Sequence, residues 1–335
     1  ALGVLAANPL YLLLDTAVVG RLGTAQLAAL AAGTTIQSTV TTQLTFLSYG
    51  TTARSSRLFG AGKRDEAIAE GVQATWVALL VGLGLATIIW LFAQPIAFAL
   101  TNDHETAAQA ARWMHVAAIA IPLTLIIMAG NGWMRGIQNT RLPFLLTLCG
   151  LVPGAIALPF LVQRFGLVGS AVANVLGMGI TASLFLAVLI REHDGSWAPR
   201  WAVMRDQLVL GRDLILRSLS FQISFLAAAA VAGRFGVATL AAHQILLQLW
   251  NFLTLVLDSM AIAAQTLTGA SLGKGRVAEA RSVGVQTTRF SVGFGVVLAT
   301  VFVLFHAPLK AIFTSDDAVL SAPVSYTHLT PPTKA

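Results

Sequence analysis

Arg21-Leu-Gly-Thr-Ala-Gln-Leu-Ala-Ala29 returns 213 positions later as Arg234-Phe-Gly-Val-Ala-Thr-Leu-Ala-Ala242. At the same offset, without a gap, Gly60-Ala-Gly-Lys-Arg-Asp-Glu-Ala67 becomes Gly273-Lys-Gly-Arg-Val-Ala-Glu-Ala280, and Gly71-Val-Gln-Ala-Thr75 becomes Gly284-Val-Gln-Thr-Thr288. Chance seldom yields three ungapped matches at one spacing. The stretches between these motifs are apolar. Trp76 to Phe92 and Ser291 to Phe305 hold no charged residue, and a helix of about 20 apolar residues crosses a bilayer. Duplicated halves in a membrane protein are the mark of a transporter with its site at the repeat interface.

Composition agrees. Hydrophobic residues make up 56% of the chain, charged residues 10%, and the mean hydropathy is +0.77, whereas a soluble domain carries roughly 25% charged residues. The sequence therefore predicts an all-α polytopic membrane protein. Apolar runs between basic or turn-forming breaks give about nine spans, near 2–20, 26–58, 66–93, 105–136, 141–163, 166–190, 209–233, 239–271 and 278–305.

A net charge of +7 and a pI near 10.3 could mark a nucleic-acid binder, but the basic residues alternate from loop to loop. Arg54, Arg57, Lys63 and Arg64 share one connection, Arg135 and Arg141 flank another, and Lys274, Arg276 and Arg281 lie in a third. Arg191, Arg200, Arg205, Arg212 and Arg217 crowd the longest. The connections between them are poor in Lys and Arg. This is the positive-inside pattern, which places the basic loops and the N-terminus in the cytoplasm. The basicity is topological, and no nucleic-acid partner is expected. Cys149, the single cysteine, excludes a disulfide framework and a cysteine metal site.

Six of the spans separate Arg21 from Arg234, an even number, so both lie on one face and the halves are parallel repeats. The boundaries expected are a first lobe of helices 1–6 over 1–195, a linker over 196–208 and a partial second lobe of helices 7–9 over 209–323. In that reading the full-length protein has two six-helix repeats, of which helices 10–12 and the true N-terminus are absent here. The stretch 324–335, Val-Ser-Tyr-Thr-His-Leu-Thr-Pro-Pro-Thr-Lys-Ala, is polar and unlike the rest. It reads as a non-native, adapter-derived tail and is set aside.

An ionisable side chain within a span is costly and marks a functional candidate. Asp15 lies in the first span, between Tyr11-Leu-Leu-Leu14 and Thr16-Ala-Val-Val-Gly20, and its repeat partner is Ala228. One half thus carries a carboxyl where the other carries a methyl. Withdrawal from water disfavours the charged form of a carboxyl, which suits ion coupling or substrate binding. The alternative is an Asp held by Thr16 or by a neighbouring helix. Asp258, whose repeat partner is Thr45, and Gln265 two turns beyond it form a second candidate pair for substrate or coupling, with a structural tie as the alternative. Asn174, Gln37 and Asn131 are further substrate or coupling candidates, although interhelical hydrogen bonding is the commoner fate of such side chains. Pro9, six residues before Asp15, can bend that helix.

Enzyme signatures are missing. Gly60-Ala-Gly-Lys63 lacks the spacing of a phosphate-binding loop, and Gly177-Met-Gly179 is too short for a dinucleotide fingerprint. No metal-ligand spacing, no Ser/His/Asp arrangement and no ATP-hydrolysing domain can be read. No cofactor is expected, and the energy source expected is an ion gradient.

These motifs resemble the multidrug and toxic compound extrusion family, in its DNA-damage-inducible-F-like bacterial branch. The resemblance rests on Asp15-Thr-Ala-Val-Val-Gly20-Arg-Leu-Gly23 with Leu27-Ala-Ala29, on Arg135-Gly-Ile-Gln-Asn-Thr-Arg-Leu-Pro143, and on Leu257-Asp258 followed by Ala264-Gln265. It runs from Ala1 to about Pro323. It implies twelve helices in two six-helix lobes around a central cavity, and antiport of amphipathic, often cationic, small molecules against inward proton or sodium flow. It also implies a bacterial inner (plasma) membrane and a monomer. By resemblance Asp15 is the ion-coupling carboxyl of the first helix. The family often pairs it with an Asn and an Asp in the fifth helix, just before a proline. Here Gly154 and Leu158 occupy those positions before Pro159. That departure favours a proton relay over a sodium cage. The rivals are a lipid-linked oligosaccharide flippase of the same superfamily and a non-transporting membrane scaffold.

Overall fold

The computed structural model describes residues 2–234 and 237–304, and no strand occurs among them. The tail 324–335 and the end of the expected second lobe lie outside the described residues. Eleven helices follow in order: α1 (Leu2–Gly20), α2 (Thr24–Gln43), α3 (Phe46–Gly60), α4 (Arg64–Thr101), α5 (His104–Ala117), α6 (Ala120–Gly136), α7 (Arg141–Phe165), α8 (Leu167–Glu192), α9 (Trp201–Arg234), α10 (Val237–Gly273) and α11 (Val277–Leu304).

The nine expected spans correspond to these eleven helices because two of them are broken. The second divides at Leu44–Thr45 into α2 and α3. The fourth divides at Ala118–Ile119 into α5 and α6, which meet at 44°. Pro122 causes the second break. Its ring crowds the carbonyl four residues back, at Ala118, which in place of an i−4 partner accepts a tighter 3.1 Å bond from the Ile121 N–H. Among the described residues five helices are long and apolar enough to cross a membrane, six if the bent pair counts as one span. α2 falls short because Thr34, Thr35, Ser38, Thr41 and Thr42 dilute it, though hydroxyls such as Thr35 bond back to carbonyls one turn earlier. Apolar side chains cover the outside, with Leu91, Ile156 and Phe160 62%, 61% and 68% exposed, an arrangement that hydrocarbon tolerates and water does not.

Turn chemistry ends the helices. Asn102 takes the left-handed conformation (φ 49°) after α4, and Asp103 then caps α5 by accepting a 2.8 Å hydrogen bond from the Thr106 N–H. The Gly60-Ala-Gly62 turn and its repeat Gly273-Lys-Gly275 share their main hydrogen bonds. Gly62 and Gly275 have φ of 79° and 72°. Ala61 and Lys274 donate to Arg57 and Ala270, and Lys63 and Arg276 to Leu58 and Ser271. The duplication visible in the sequence is thus a duplication of local backbone.

The described residues divide into two compact units, one comprising 2–218 with 259–285 and the other 219–258 with 286–304. This division passes through α9, α10 and α11. In the first unit α7 and α8 meet at glycines. A Cβ on Gly150 would lie 2.5 Å from the Gly177 carbonyl oxygen, and one on Gly154 would lie 3.2 Å from that of Ala173. Small residues let membrane helices approach this closely.

α9 already begins at Trp201, so most of the expected linker 196–208 is helical. The remaining connection is pinned to α4. Gln73 accepts from the Arg200 N–H at 2.6 Å and donates to the Ala198 carbonyl at 3.1 Å, and Trp76 donates to the Trp197 carbonyl at 2.8 Å. The first turns of α9 are held by buried Glu70, which accepts from Gln207 at 3.2 Å and pairs with Arg54 at 2.8 Å.

Candidate functional site

α1 carries Asp15 inward against α7 and α8. The carboxyl is 2% exposed, and its Oδ2 accepts a 2.9 Å hydrogen bond from the hydroxyl of Ser170 on α8. Ser170 in turn accepts a 3.2 Å hydrogen bond from the indole N–H of Trp113 on α5. Three helices therefore contribute to one buried chain, Trp113 to Ser170 to Asp15. Tyr11, one turn before Asp15, is buried beside it. Asp15 Oδ1 and the Tyr11 hydroxyl have no hydrogen-bond partner among the described residues.

The chain is built from ordinary packing. Gly166, with φ 60°, starts α8, and the small run Gly169-Ser170-Ala171 lets α8 sit close under α7. A Cβ on Gly169 would lie 2.1 Å from the Leu161 carbonyl oxygen. Trp113 is seated by Gly33 of α2, where a Cβ would lie 2.5 Å from the indole ring. Gly33, Gln37, Ile89, Trp113 and Ile121 line a small, half-open apolar cleft, far too tight for a drug-sized molecule.

Of the residues singled out in the sequence, Asp15 is central and Asn174 lies one turn from Ser170 on the same face of α8, its buried Oδ1 without a partner among the described residues. Gln37 borders the cleft behind Trp113. Asn131 is buried; its amide donates to the Ile127 carbonyl of its own helix at 3.0 Å, and its Oδ1 has no partner among the described residues. Gln265 donates to the Tyr49 carbonyl at 3.0 Å, tying α10 to α3. Asp258 is half-buried on α10 and belongs to the second unit. Gly154 and Leu158 have no side-chain oxygen to offer Asp15. Gly154 serves the α7–α8 contact and Leu158 is fully buried in the core.

The sequence reading missed Ser170 and Trp113. Tyr11 had a signal, since it lies four residues before Asp15 and so on the same helix face. Ser170 and Trp113 had none, because a serine among glycines and a tryptophan on an amphipathic helix are ordinary.

The fold is that of a polytopic helical membrane protein with one buried carboxyl in its first helix. The MatE family model matches residues 1–161 and 214–333, two stretches that begin 213 positions apart, as the repeat does. The chain belongs to this family. The second match takes in most of the tail that the sequence alone set apart.

Among relatives, the chain is 29% identical to Protein DETOXIFICATION 44, chloroplastic, of Arabidopsis thaliana, over 96% of this chain and 65% of that protein. It is 28% identical to DNA damage-inducible protein F of Escherichia coli K12, over 92% and 69%. It thus spans about two thirds of the length of the relatives it matches. Among solved structures, a MATE protein in its bent conformation superposes with TM-score 0.86 at 22% identity, over 96% of this chain and 74% of that one. A MOP superfamily transporter from Pyrococcus furiosus gives TM-score 0.81 at 20% identity, over 95% and 73%. At those identities the likeness is one of fold.

Proposed function

We propose that this chain works in a cation-coupled antiporter that exports amphipathic or cationic small molecules across a bacterial plasma membrane, with Asp15 as the coupling carboxyl. The observation that carries this reading is the burial of Asp15 in an apolar helix with a single hydrogen bond, from Ser170, and one oxygen without a partner among the described residues. A carboxylate so placed bears a poorly compensated charge in a low dielectric. A proton or a cationic substrate relieves it, and the two compete for the same group.

Protonation also reverses the local hydrogen bonding. Charged Asp15 only accepts, so the Ser170 hydroxyl donates to it. Neutral Asp15 is a donor as well, while the Trp113 N–H already occupies one lone pair of Ser170. The network then rearranges, and α1, bendable at Pro9, is free to repack. Proton rather than sodium coupling is favoured because sodium needs several oxygens, and the side chains of Gly154 and Leu158 supply none. Inward movement of one proton contributes about 2.3 kcal/mol per 100 mV. We read the protein as a monomer with its basic loops and N-terminus in the cytoplasm.

The test is efflux of a fluorescent organic cation from everted vesicles under an imposed pH gradient, with and without Asp15→Asn. Gradient-dependent efflux that the substitution abolishes supports the reading. A wild type indifferent to both gradient and cation overturns it and turns attention to lipid-linked oligosaccharides or to a scaffold.

A further inference from the structure

Trp197 and Trp201, where the connection from α8 enters α9, are 37% and 66% exposed. Trp201, Arg205, Arg212 and Leu216 stand at i, i+4, i+11 and i+15, so they share one side of α9, and all four are exposed. Another side of α9 faces the rest of the unit. There Met204 is buried, Gln207 bonds to Glu70 of α4, and a Cβ on Gly211 would lie 2.5 Å from the Phe46 ring of α3. The acids of this segment are largely engaged, Glu192 with Arg64, Asp206 with Arg54 and Asp213 with its neighbour Arg212. Arg191, Arg200, Arg205 and Arg217 are exposed and have no ion pair among the described residues. The depth of this surface is also fixed. Trp76, at the start of the charge-free run of α4, donates to the Trp197 carbonyl at 2.8 Å, and the charge-free part of α9 begins only after Arg217. The 34 residues of α9 span about 51 Å at 1.5 Å each, against ~30 Å of hydrocarbon, so its first turns lie at headgroup level.

We propose that this surface, from Trp197 to Leu216, is a binding site for an anionic phospholipid of the leaflet that meets the basic loops. Indole rings settle at the boundary between hydrocarbon and headgroups. Arginine stems lie along apolar surface while the guanidinium reaches the headgroup layer, where its paired N–H groups grip a phosphate. Arg200 and Arg205 supply that grip, Trp197 and Trp201 flank it, and exposed Val209 and Leu216 offer an apolar track for an acyl chain. A nucleic acid or an acidic protein matches the arginines but not the apolar residues at both ends of the same stripe. A ligand that is anionic at one end and apolar at the other matches both. The bound lipid would brace a segment already pinned to α4 through Gln73 and Glu70. None of this depends on what Asp15 does, and the efflux assay tests that separately.

The test reads tryptophan emission from the purified chain in phosphatidylcholine nanodiscs that contain a minor fraction of brominated lipid. Brominated phosphatidylglycerol should quench at lower mole fraction than brominated phosphatidylcholine, by about fivefold, the size of one arginine's attraction to an anionic surface. Trp197→Phe with Trp201→Phe should remove that excess quenching. Arg200→Gln with Arg205→Gln should abolish the preference, whereas Arg164→Gln, exposed at the far end of α7, should leave it unchanged. Should the double arginine variant fail to fold, Arg205→Gln alone should lower the preference and Arg205→Lys should keep most of it. Inorganic phosphate, compared with sodium chloride at matched ionic strength, should not compete. Equal quenching by the two lipids overturns the site, and so does a preference that survives in folded arginine variants. Loss of the preference to inorganic phosphate also overturns it, because the surface would then hold an anion from solution and not a lipid.

Discussion

Ser170 donates a 2.9 Å hydrogen bond to Asp15 across 155 positions of sequence, and both side chains are all but excluded from solvent. The bond joins the first and eighth helices at the one carboxyl buried in α1. Trp113 fixes it from behind, since its N–H takes a lone pair of the serine oxygen and so directs the hydroxyl proton toward the carboxylate.

Ser170→Ala removes that donor and leaves a buried carboxyl without a partner among the described residues. Such a loss costs about 1–3 kcal/mol. A melting temperature lowered by several degrees, with cation efflux reduced tenfold or more, is expected. Ser170→Thr keeps the hydroxyl and should restore most of both. Trp113→Phe keeps the ring and drops the N–H, so it should lower efflux with only about 1 kcal/mol of lost stability. Trp113→Ala should cost about 3–5 kcal/mol through the cavity it leaves. Thermal unfolding in detergent alongside efflux separates these cases.

Glu70 receives both Arg54 and Gln207 and is 5% exposed. Glu70→Ala strips two partners at once and frees the first turns of α9. Breaking a buried pair costs about 3–5 kcal/mol, but the Arg54 side chain is 32% exposed, so about 1–3 kcal/mol is the expectation after solvent screening. Gln73→Ala should loosen the Ala198–Arg200 connection with a smaller effect. Proteolysis between Asp194 and Trp201 should quicken in both, and an unchanged cleavage rate would count against the pinned connection.

Gly150→Ala places a methyl group 2.0 Å from the Thr181 hydroxyl and 2.5 Å from the Gly177 carbonyl oxygen. Helices α7 and α8 must then move apart, at a cost of about 1–3 kcal/mol for overpacking. Gly84→Ala meets nothing within 4 Å and should leave stability unchanged or slightly raised. The two melting curves compared give the answer directly.

Hydrogen bonds from Thr106, its side chain first and its backbone N–H second, hold the Asp103 carboxyl below the usual carboxylate range. The folded state thus binds the proton less tightly than the unfolded state. The stabilisation is present in full above the ordinary carboxylate value and is lost as pH falls through the lowered one. Hydrogen exchange in the first turn of α5 should accelerate at acid pH beyond its intrinsic trend, and Asp103→Asn should flatten that response.

The fold was largely legible because its signals are local or periodic. Apolar runs mark the helices, glycine turns mark their ends, and a constant offset marks the duplication. The breaks were not legible. Pro122 was visible, but whether a proline kinks a helix or ends it depends on what can satisfy the freed carbonyl. The helical state of 201–208 within the expected linker was not legible for a related reason: Trp201 onward is polar enough to read as loop, yet Met204 is buried and Gln207 bonds to Glu70 of α4.

Sequence alone therefore determined the class of protein, the duplicated architecture and the anomaly of Asp15, because each follows from the cost of polar groups in hydrocarbon or from direct comparison of residues along one chain. Tertiary structure decided which partners that carboxyl has, which carbonyls the Asn131 and Gln265 amides donate to, and that α3 and α10 approach closely at Gly60 and Gly273. Those facts depend on which helix faces oppose one another. Side-chain spacing within a helix orients a face but does not choose its neighbour, and that choice is made only when all the helices pack at once.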